Sequence, residues 1–248
     1  GAGKSNTIYQ LLDKLCPAPS EGTETSETHF LAIEPAKGEY KTVFGGRVDV
    51  SVFGTNPNKA PLLRINPFSF PEDIHVLEHI DRLVEIFNAC WPMYAAMPAI
   101  LKEAIENAYR NVGWSLSKSI CIPRCFPTFE NLIDELPKVI SSSSYSPDTK
   151  GDYTGALITR IKSLTNGING QVFCSVTEIP SEVLFDGNVI IDLSRVGSSE
   201  TKALLMGIMI MKLQEYRMSS PEMNSELKHI TVLEEAHNLL RRTSMEQT

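Results

Sequence analysis

The run Gly1-Ala2-Gly3-Lys4-Ser5, followed by Asn6-Thr7, decides how the rest of this chain is interpreted. It matches the second half of the Walker A pattern, in which glycines let backbone N–H groups wrap around phosphate oxygens. In that pattern Lys4 reaches the β- and γ-phosphates, the Ser5 hydroxyl binds Mg²⁺, and the following helix adds a favourable dipole. Gly1 to Asn6 are therefore the predicted phosphate-binding residues, against the alternative of a chance turn. We expect the first glycine of the full pattern, and the strand that carries it, to precede residue 1.

The composition fits a globular protein. At 248 residues, of which 42% are hydrophobic and 21% charged, the chain has enough apolar residues for one core with an insertion. No apolar run approaches the roughly 18 residues that span a bilayer, and no signal peptide is seen. Five scattered cysteines argue against a disulfide framework, so we expect a reduced, cytoplasmic protein without a membrane partner. The net charge of −7 disfavours a uniformly basic surface, but a few basic loops lining a pore could still hold nucleic acid.

Strands alternating with helices predict an α/β fold with a mostly parallel sheet. Continuous apolar runs are typical of buried strands at residues 29–33, 188–193 and 230–233. Alternating valines predict a half-exposed strand at 48–52, for which residues 42–44 are a candidate hairpin partner.

Between these strands the sequence changes character and becomes mainly helical. Helical spacing is seen at residues 72–91, 95–112, 128–140 (interrupted at Pro137) and 154–164. After the third strand, Ser198 or Ser199 is expected to cap a long helix that runs to about residue 217. We therefore expect a first part of the core at 1–65, a helical insertion at 66–170, and a second part of the core at 171–248.

A second motif follows the last predicted strand: Val232-Leu233-Glu234-Glu235-Ala236-His237. In nucleotide hydrolases an apolar strand ends in two acids beside the phosphate loop. Glu234 would hold Mg²⁺, usually through water, and Glu235 would orient or deprotonate the attacking water. Such a pair alone is most often a solvated helix start. Together with Gly1-Ala2-Gly3-Lys4-Ser5 it predicts a P-loop ATPase that uses ATP and Mg²⁺.

Two other patterns are weak. The spacing Cys121-x-x-x-Cys125 could indicate zinc, but no second Cys or His pair stands near it in the sequence. The run Leu193-Ser194-Arg195-Val196-Gly197 faintly matches the transporter-ATPase signature, but it lacks the Gly-Gly-Gln ending.

Four motifs recur in the order found in one known group of ATPases. They are Gly1-Ala2-Gly3-Lys4-Ser5-Asn6-Thr7, Ile33-Glu34-Pro35-Ala36-Lys37-Gly38-Glu39-Tyr40, Ile190-Ile191-Asp192-Leu193-Ser194 with Ser198-Ser199-Glu200, and Leu233-Glu234-Glu235-Ala236-His237-Asn238. With a helical insertion between them, the chain resembles the HerA-like family of the HerA/FtsK superfamily. The resemblance implies a RecA-like core in a homo-hexameric ring, with ATP sites between subunits and DNA gripped in the pore. It also implies a nuclease or other effector partner in DNA-end processing or phage defence.

The chain departs from the family pattern at two places. Glu34 and Pro35 stand where the second strand usually closes with an aspartate. The strand after Walker B, with its sensor residue and the arginine that acts on a neighbouring subunit, would fall beyond residue 248.

Five accessory residues have both a functional and a plain interpretation. Arg241 and Arg242 could supply the trans-acting arginine, although a pair of arginines at a helix end is more often solvated. Asp192 could lie near the metal or simply cap a turn. Glu39 could face the nucleotide or a neighbouring subunit, although exposed loop charge is the plainer interpretation. His237 could sense the γ-phosphate, link the ATP site to DNA binding, or make an ordinary helix hydrogen bond.

These observations favour an ATP-hydrolysing, RecA-like motor domain that translocates DNA as a ring. A ring-forming scaffold ATPase that assembles an effector and moves little DNA is the main alternative. A small-molecule kinase is disfavoured, because it needs no catalytic acid after the Walker B strand.

Overall fold

The computed structural model describes residues 2–19, 27–175, 177–219 and 226–236. Its centre is a four-stranded sheet in the order β2-β3-β1-β4, in which every pairing is parallel. The strands are β1 (His29–Glu34), β2 (Val50–Gly54), β3 (Asn188–Asp192) and β4 (His229–Leu233). The prediction of an α/β fold with a parallel sheet is confirmed.

Ten α-helices and one π-helical turn accompany the sheet in the described residues. They are α1 (Ala2–Leu15), α2 (Glu39–Phe44), α3 (Val76–Cys90), α4 (Met97–Asn111), α5 (Phe129–Ser142), α6 (Pro147–Tyr153), the π-helical turn Thr154–Ile158, α7 (Thr159–Thr165), α8 (Gly167–Phe173), α9 (Ser181–Phe185) and α10 (Ser199–Met218). No helix in this part of the chain is long and apolar enough to cross a membrane.

The described residues fall into two compact units. Unit 1 contains the sheet and takes the residues up to 63, 179–202 and 226–236. Unit 2 is helical and takes the residues from 64 to 178 and 203–219, so it includes most of α10. The predicted domain bounds at 65/66 and 170/171 stay a prediction.

In unit 1, helices α1 and α2 cover one face of the sheet. Alternate side chains along a strand point to opposite faces, so the even-numbered residues of all four strands share this face. Phe30, Ala32 and Ile190 are buried there against α1 and α2. Helix α9 also packs against β1 and β3. Among the described residues β4 pairs only with β1, and its five side chains are half-buried.

Unit 2 has its own core, built largely from aromatic rings. Phe68, Tyr109 and Phe129 are fully buried, and Phe68 contacts both other rings edge-on. A buried hydrogen bond adds to this core, with His79 Nδ1 2.9 Å from a Glu215 carboxylate oxygen.

Two local predictions are wrong. Residues 42–44 do not form a hairpin with β2 but belong to helix α2, because a carboxylate from β1 caps that helix, as described below. Helix α5 continues through Pro137. Proline lacks the N–H that would bond to the carbonyl four residues earlier. Pro137 is exposed, so water can solvate that carbonyl while Leu136 and Val139 stay buried.

The predicted cap of the long helix is confirmed. Ser198 Oγ accepts the backbone N–H of Thr201 at 3.2 Å, which satisfies one of the open donors at the start of α10. In the same helix, the residues from Ala203 to Met209 are buried, and so is Met211.

Candidate functional site

Three carboxylates form a row at the carboxyl edge of the sheet. Glu34 ends β1 and lies in register with Asp192, which ends β3. Glu234 directly follows β4, and its backbone N–H donates to Ile33 O at 3.3 Å, which extends the β1–β4 pairing by one residue. Because all three residues are even-numbered, their side chains share the face that α1 and α2 cover.

Glu34 is fully buried and holds the start of α2. Its carboxylate accepts the backbone N–H groups of Glu39 and of Tyr40, the latter at 3.2 Å. Gly38, with φ +70°, makes the left-handed turn that brings these two N–H groups to the carboxylate. Burial raises the pKa of Glu34, and the charges of Glu234 and Asp192 add to that rise, while the two N–H groups oppose it.

Asp192 links β3 to α2. One carboxylate oxygen lies 2.6 Å from Lys41 Nζ, and the other accepts the Ser194 N–H at 3.0 Å. Burial acts to raise the pKa of Asp192, but the hydrogen bonds from Lys41 and Ser194 outweigh it and lower the pKa. Both oxygens therefore have protein partners, and a role of Asp192 toward a metal stays a prediction.

Two tyrosines connect α1 to this acidic edge. The ring of Tyr9 on α1 meets the ring of Tyr40 edge-on, with centroids 5.0 Å apart. The Tyr9 hydroxyl donates to a Glu39 carboxylate oxygen at 3.3 Å. Burial, and then the charge of Glu39, raise the pKa of Tyr9 to about 12, and Glu234 contributes to the rise.

The described Walker A residues lie in the first turn of α1. Lys4 and Asn6 are exposed, while Ser5 is half-buried. Ser5 and Tyr9 are four residues apart, so they lie on one helix face with Cβ atoms about 6 Å apart. Ser5 therefore lies one helical turn from Tyr9, whose pKa the negative charge of Glu234 helps to raise. The first N–H groups of α1 have no partner within the helix and can bind an anion.

Glu235 has an unusual backbone conformation. It is exposed and has φ +52°, a left-handed backbone value that residues other than glycine rarely adopt. Such conformations cost about 1–3 kcal/mol and are found most often at functional sites.

The acids and hydroxyls near Ser5 suit a hard cation. Carboxylate and hydroxyl oxygens are the ligands that Mg²⁺ prefers, and it usually keeps several waters as well. The described residues contain no group of three or more His, Cys, Asp or Glu side chains that could hold a metal by themselves. A site that uses Ser5, Glu234, water and nucleotide phosphates needs no such group.

The structure brings some of the predicted residues together and leaves others untested. Glu39, Asp192 and Glu234 lie at one edge of the sheet, with Ser5 on the helix face toward it. Gly1, His237, Arg241 and Arg242 lie outside the described residues, as does the side chain of Ala2. Sequence reasoning missed Tyr9, Tyr40 and Lys41. The run Gly38-Glu39-Tyr40 was visible as a motif, but no local pattern showed that Glu34 would cap a helix there.

Unit 2 holds two further features. Cys121 and Cys125 lie with their sulfur atoms 3.7 Å apart, without a further metal-binding side chain among the described residues. A surface cleft of about 420 Å³ has Arg64, Glu130 and Cys174 among its lining residues, and none of the predicted site residues line it.

No protein-family model matches this sequence, and neither does any curated protein. The structure is similar to that of VirB4 of Thermoanaerobacter pseudethanolicus, with a TM-score of 0.61 and 16% sequence identity. The match covers 95% of this chain and 82% of that chain. At this identity the likeness shows the fold alone. The chain therefore has an α/β fold of the RecA-like P-loop type, shared with VirB4.

Proposed function

We propose that this chain is the ATP-hydrolysing motor domain of a HerA-like hexameric DNA translocase. One observation carries the proposal: Tyr9, one helical turn after Ser5 on α1, senses the charges of Glu39, Glu234 and Glu34 at the carboxyl edge of the sheet. A Walker A serine beside acids at the carboxyl ends of parallel strands is the arrangement that phosphoryl transfer requires.

Each residue of the site has a distinct part in the proposed reaction. Lys4 and the open N–H groups of α1 bind the phosphates and offset the negative charge that develops during hydrolysis. Ser5 and Glu234 hold Mg²⁺, which supplies further charge neutralisation on the phosphate oxygens. Glu235 accepts a hydrogen bond from the attacking water and aligns it with the γ-phosphate. Its left-handed backbone is consistent with a side chain held in one direction for that purpose.

The ring and its DNA follow from the family resemblance. An arginine of a neighbouring subunit would complete the site and can contribute about 10³-fold or more in rate. We therefore expect specific activity to rise with protein concentration as rings assemble. A nuclease or another effector protein is the expected partner.

Phosphate release in the absence of an acceptor, measured with and without DNA on the full-length natural chain, tests the proposal. A motor hydrolyses ATP alone and faster with DNA, and the Lys4→Ala protein, purified in the same way, controls for contaminating ATPase. Turnover that DNA does not change would favour the scaffold ATPase. Turnover only with a small-molecule acceptor would indicate a kinase. Sedimentation that shows a fully active monomer would overturn the ring.

A further inference from the structure

Tyr40 is held in one position at the acidic edge. It is fully buried, and its ring packs in the cluster formed by Phe30, Phe44 and Ile190. The Tyr9 ring closes over it from α1, and its backbone N–H is bonded to the Glu34 carboxylate. Backbone and ring are thus fixed independently of the hydroxyl group.

The hydroxyl itself makes no hydrogen bond of ordinary length and angle within the described part of the chain. Among the described residues, no acceptor completes a hydrogen bond with Tyr40 Oη, although the oxygen is buried. Leaving a buried hydroxyl unpaired disfavours the folded state, so a native structure needs a reason to keep one. Tyr109, the corresponding fully buried tyrosine of unit 2, donates to the carbonyl of Phe68.

The Glu234 carboxylate is the candidate acceptor, because Glu234 pairs with the end of β1 beside Glu34, which holds the Tyr40 N–H. Burial raises the pKa of Tyr40, and the charge of Glu234 is the next largest cause of that rise, together with a side-chain interaction between the two groups. Because a carboxylate only accepts hydrogen bonds, the hydroxyl would be the donor toward this acid. Glu234 lies in a turn and is half-buried, so its side chain can rotate toward a hydroxyl that cannot move.

We propose that Tyr40 is a positioning residue, whose hydroxyl donates to Glu234 and fixes the direction of that carboxylate toward the magnesium–nucleotide complex. The proposal rests on the proposed function, because it takes Glu234 as the acid that holds Mg²⁺. The proposal gives the Gly38-Glu39-Tyr40 run a part in metal binding. Glu34 positions Tyr40, and Tyr40 positions Glu234.

The variant Tyr40→Phe tests this proposal, because it removes one oxygen and keeps the ring. Side chains that orient metal ligands typically contribute 10–100-fold in metal affinity, so we expect the Mg²⁺ concentration for half-maximal ATP hydrolysis to rise about tenfold or more. Calorimetric titration with a non-hydrolysable ATP analogue gives a second readout, independent of turnover. Binding should weaken in the presence of Mg²⁺ and stay unchanged in EDTA.

Tyr109→Phe is the matched control. It makes the same chemical change in unit 2, where the hydroxyl has a partner, so it should lower thermal stability and leave the Mg²⁺ requirement unchanged. Tyr40→Phe should show the reverse pattern. A Tyr40→Phe protein with the wild-type Mg²⁺ requirement in both assays would overturn the proposal.

A double-mutant cycle separates positioning from a general structural effect. If Tyr40 acts through Glu234, adding Tyr40→Phe to Glu234→Gln should change the Mg²⁺ requirement little further. Effects that simply multiply would also overturn the proposal. A wild-type protein that binds the Mg²⁺–analogue complex but never hydrolyses ATP would instead contradict the proposed function, and the calorimetric comparison would still test Tyr40.

Discussion

The two ends of the sheet in unit 1 are built on different principles. At the amino end, Asp49 binds Arg47 through two hydrogen bonds, of 2.6 and 3.0 Å, and also accepts Asn188 Nδ2 at 2.8 Å. Asn188 Oδ1 in turn accepts the N–H of Phe30 at 3.0 Å, and Arg47 donates to Cys16 O at 2.9 Å. The Arg47 guanidinium thus pairs with the Asp49 carboxylate, although its Nη1 finds no hydrogen-bond partner among the residues that the structure describes.

At the carboxyl end, acids outnumber the bases that pair with them. Glu34, Asp192 and Glu234 stand in a row, and Lys41 pairs with Asp192. The Glu34 carboxylate has only backbone partners among the described residues. The same sheet therefore pairs an acid with an arginine at its amino end, and gathers carboxylates at its carboxyl end. Under the proposed function, the amino end serves stability and the carboxyl end serves ligand binding.

Replacing Lys4 by Ala gives the largest expected effect and acts on the carboxyl end alone. Lys4 is exposed, so its loss should change the free energy of unfolding by no more than about 0.5 kcal/mol. ATP turnover should fall by about 10³-fold or more and nucleotide binding should weaken, because a charge that stabilises the transferring phosphoryl group is gone. Steady-state phosphate release and urea unfolding of the same preparation measure both quantities. Near-normal turnover would remove the P-loop interpretation.

Changing Glu235 to Gln should separate binding from chemistry. The amide keeps the shape but cannot accept the proton of the attacking water, so hydrolysis should fall by about 10²-fold while ATP still binds. Single-turnover kinetics and equilibrium binding check the two parts. Glu235→Asn adds a structural test: asparagine tolerates the left-handed conformation, so this variant should be as stable as the wild type or more stable, yet inactive. Equal losses of binding and hydrolysis would make Glu235 structural.

A substitution at the amino end of the sheet should lower stability and leave ATP turnover unchanged. Arg47→Ala leaves Asp49 half-buried without its cation and should cost about 2 kcal/mol of stability, within the range for hydrogen bonds to charged groups. Turnover per folded molecule should not change. Arg110→Ala is a matched control, since it breaks an exposed ion pair with Glu106 and should cost about 0.5 kcal/mol or less. A loss of turnover in folded Arg47→Ala protein would show that the two ends are not independent.

Acid titration should give the smallest effect, with opposite signs at the two ends. The Arg47 hydrogen bonds lower the pKa of Asp49, so its stabilisation is present above the unfolded pKa of about 3.9 and is lost as pH falls through the lower folded pKa. The stability difference between wild type and Asp49→Asn should therefore shrink in acid. A constant difference down to pH 2 would contradict the assignment.

At the carboxyl end, the contribution of Glu34 to stability should change with pH in the opposite direction. Burial raises its folded pKa, so its favourable contribution is present below the unfolded pKa of about 4.3 and is lost as pH rises through the higher folded pKa. Glu34→Gln should remove this decline from the curve of unfolding free energy against pH. An unchanged curve would show that Glu34 has the same pKa in both states.

The sequence predicted the parts of unit 1 that depend on local pattern. β1 and β3 are central strands, and their continuous apolar runs are what double-sided burial requires. The Walker A and Walker B assignments stay predictions, and they rest on the particular residue types at fixed spacing that phosphate binding needs. The placement of α2 was not predictable, because a six-residue helix has weak periodicity and is held by a buried carboxylate of the preceding strand.

The contacts at the acidic edge depend on tertiary structure in the same way. Lys41 meets Asp192 only because α2 crosses the end of β3, and the two residues are 151 positions apart. No sequence pattern predicted a buried position for Tyr40, since a tyrosine after a Gly-Glu pair is equally common in an exposed loop. The pairing of Arg47 with Asp49 is local, but a pair two residues apart in a loop is most often solvated.

The capping of α2 by Glu34 also fixes the length of the loop that joins β1 to α2. Residues 35–38 connect the carboxylate to the two N–H groups that it binds, and Gly38 completes the turn. One inserted residue would shift α2 by one position against the carboxylate and rotate its side chains by about 100° around the helix axis. Tyr40 would leave its pocket and Lys41 would leave Asp192. Loops usually tolerate insertions, but this one should accept substitutions at Ala36 or Lys37 and no change in the number of residues.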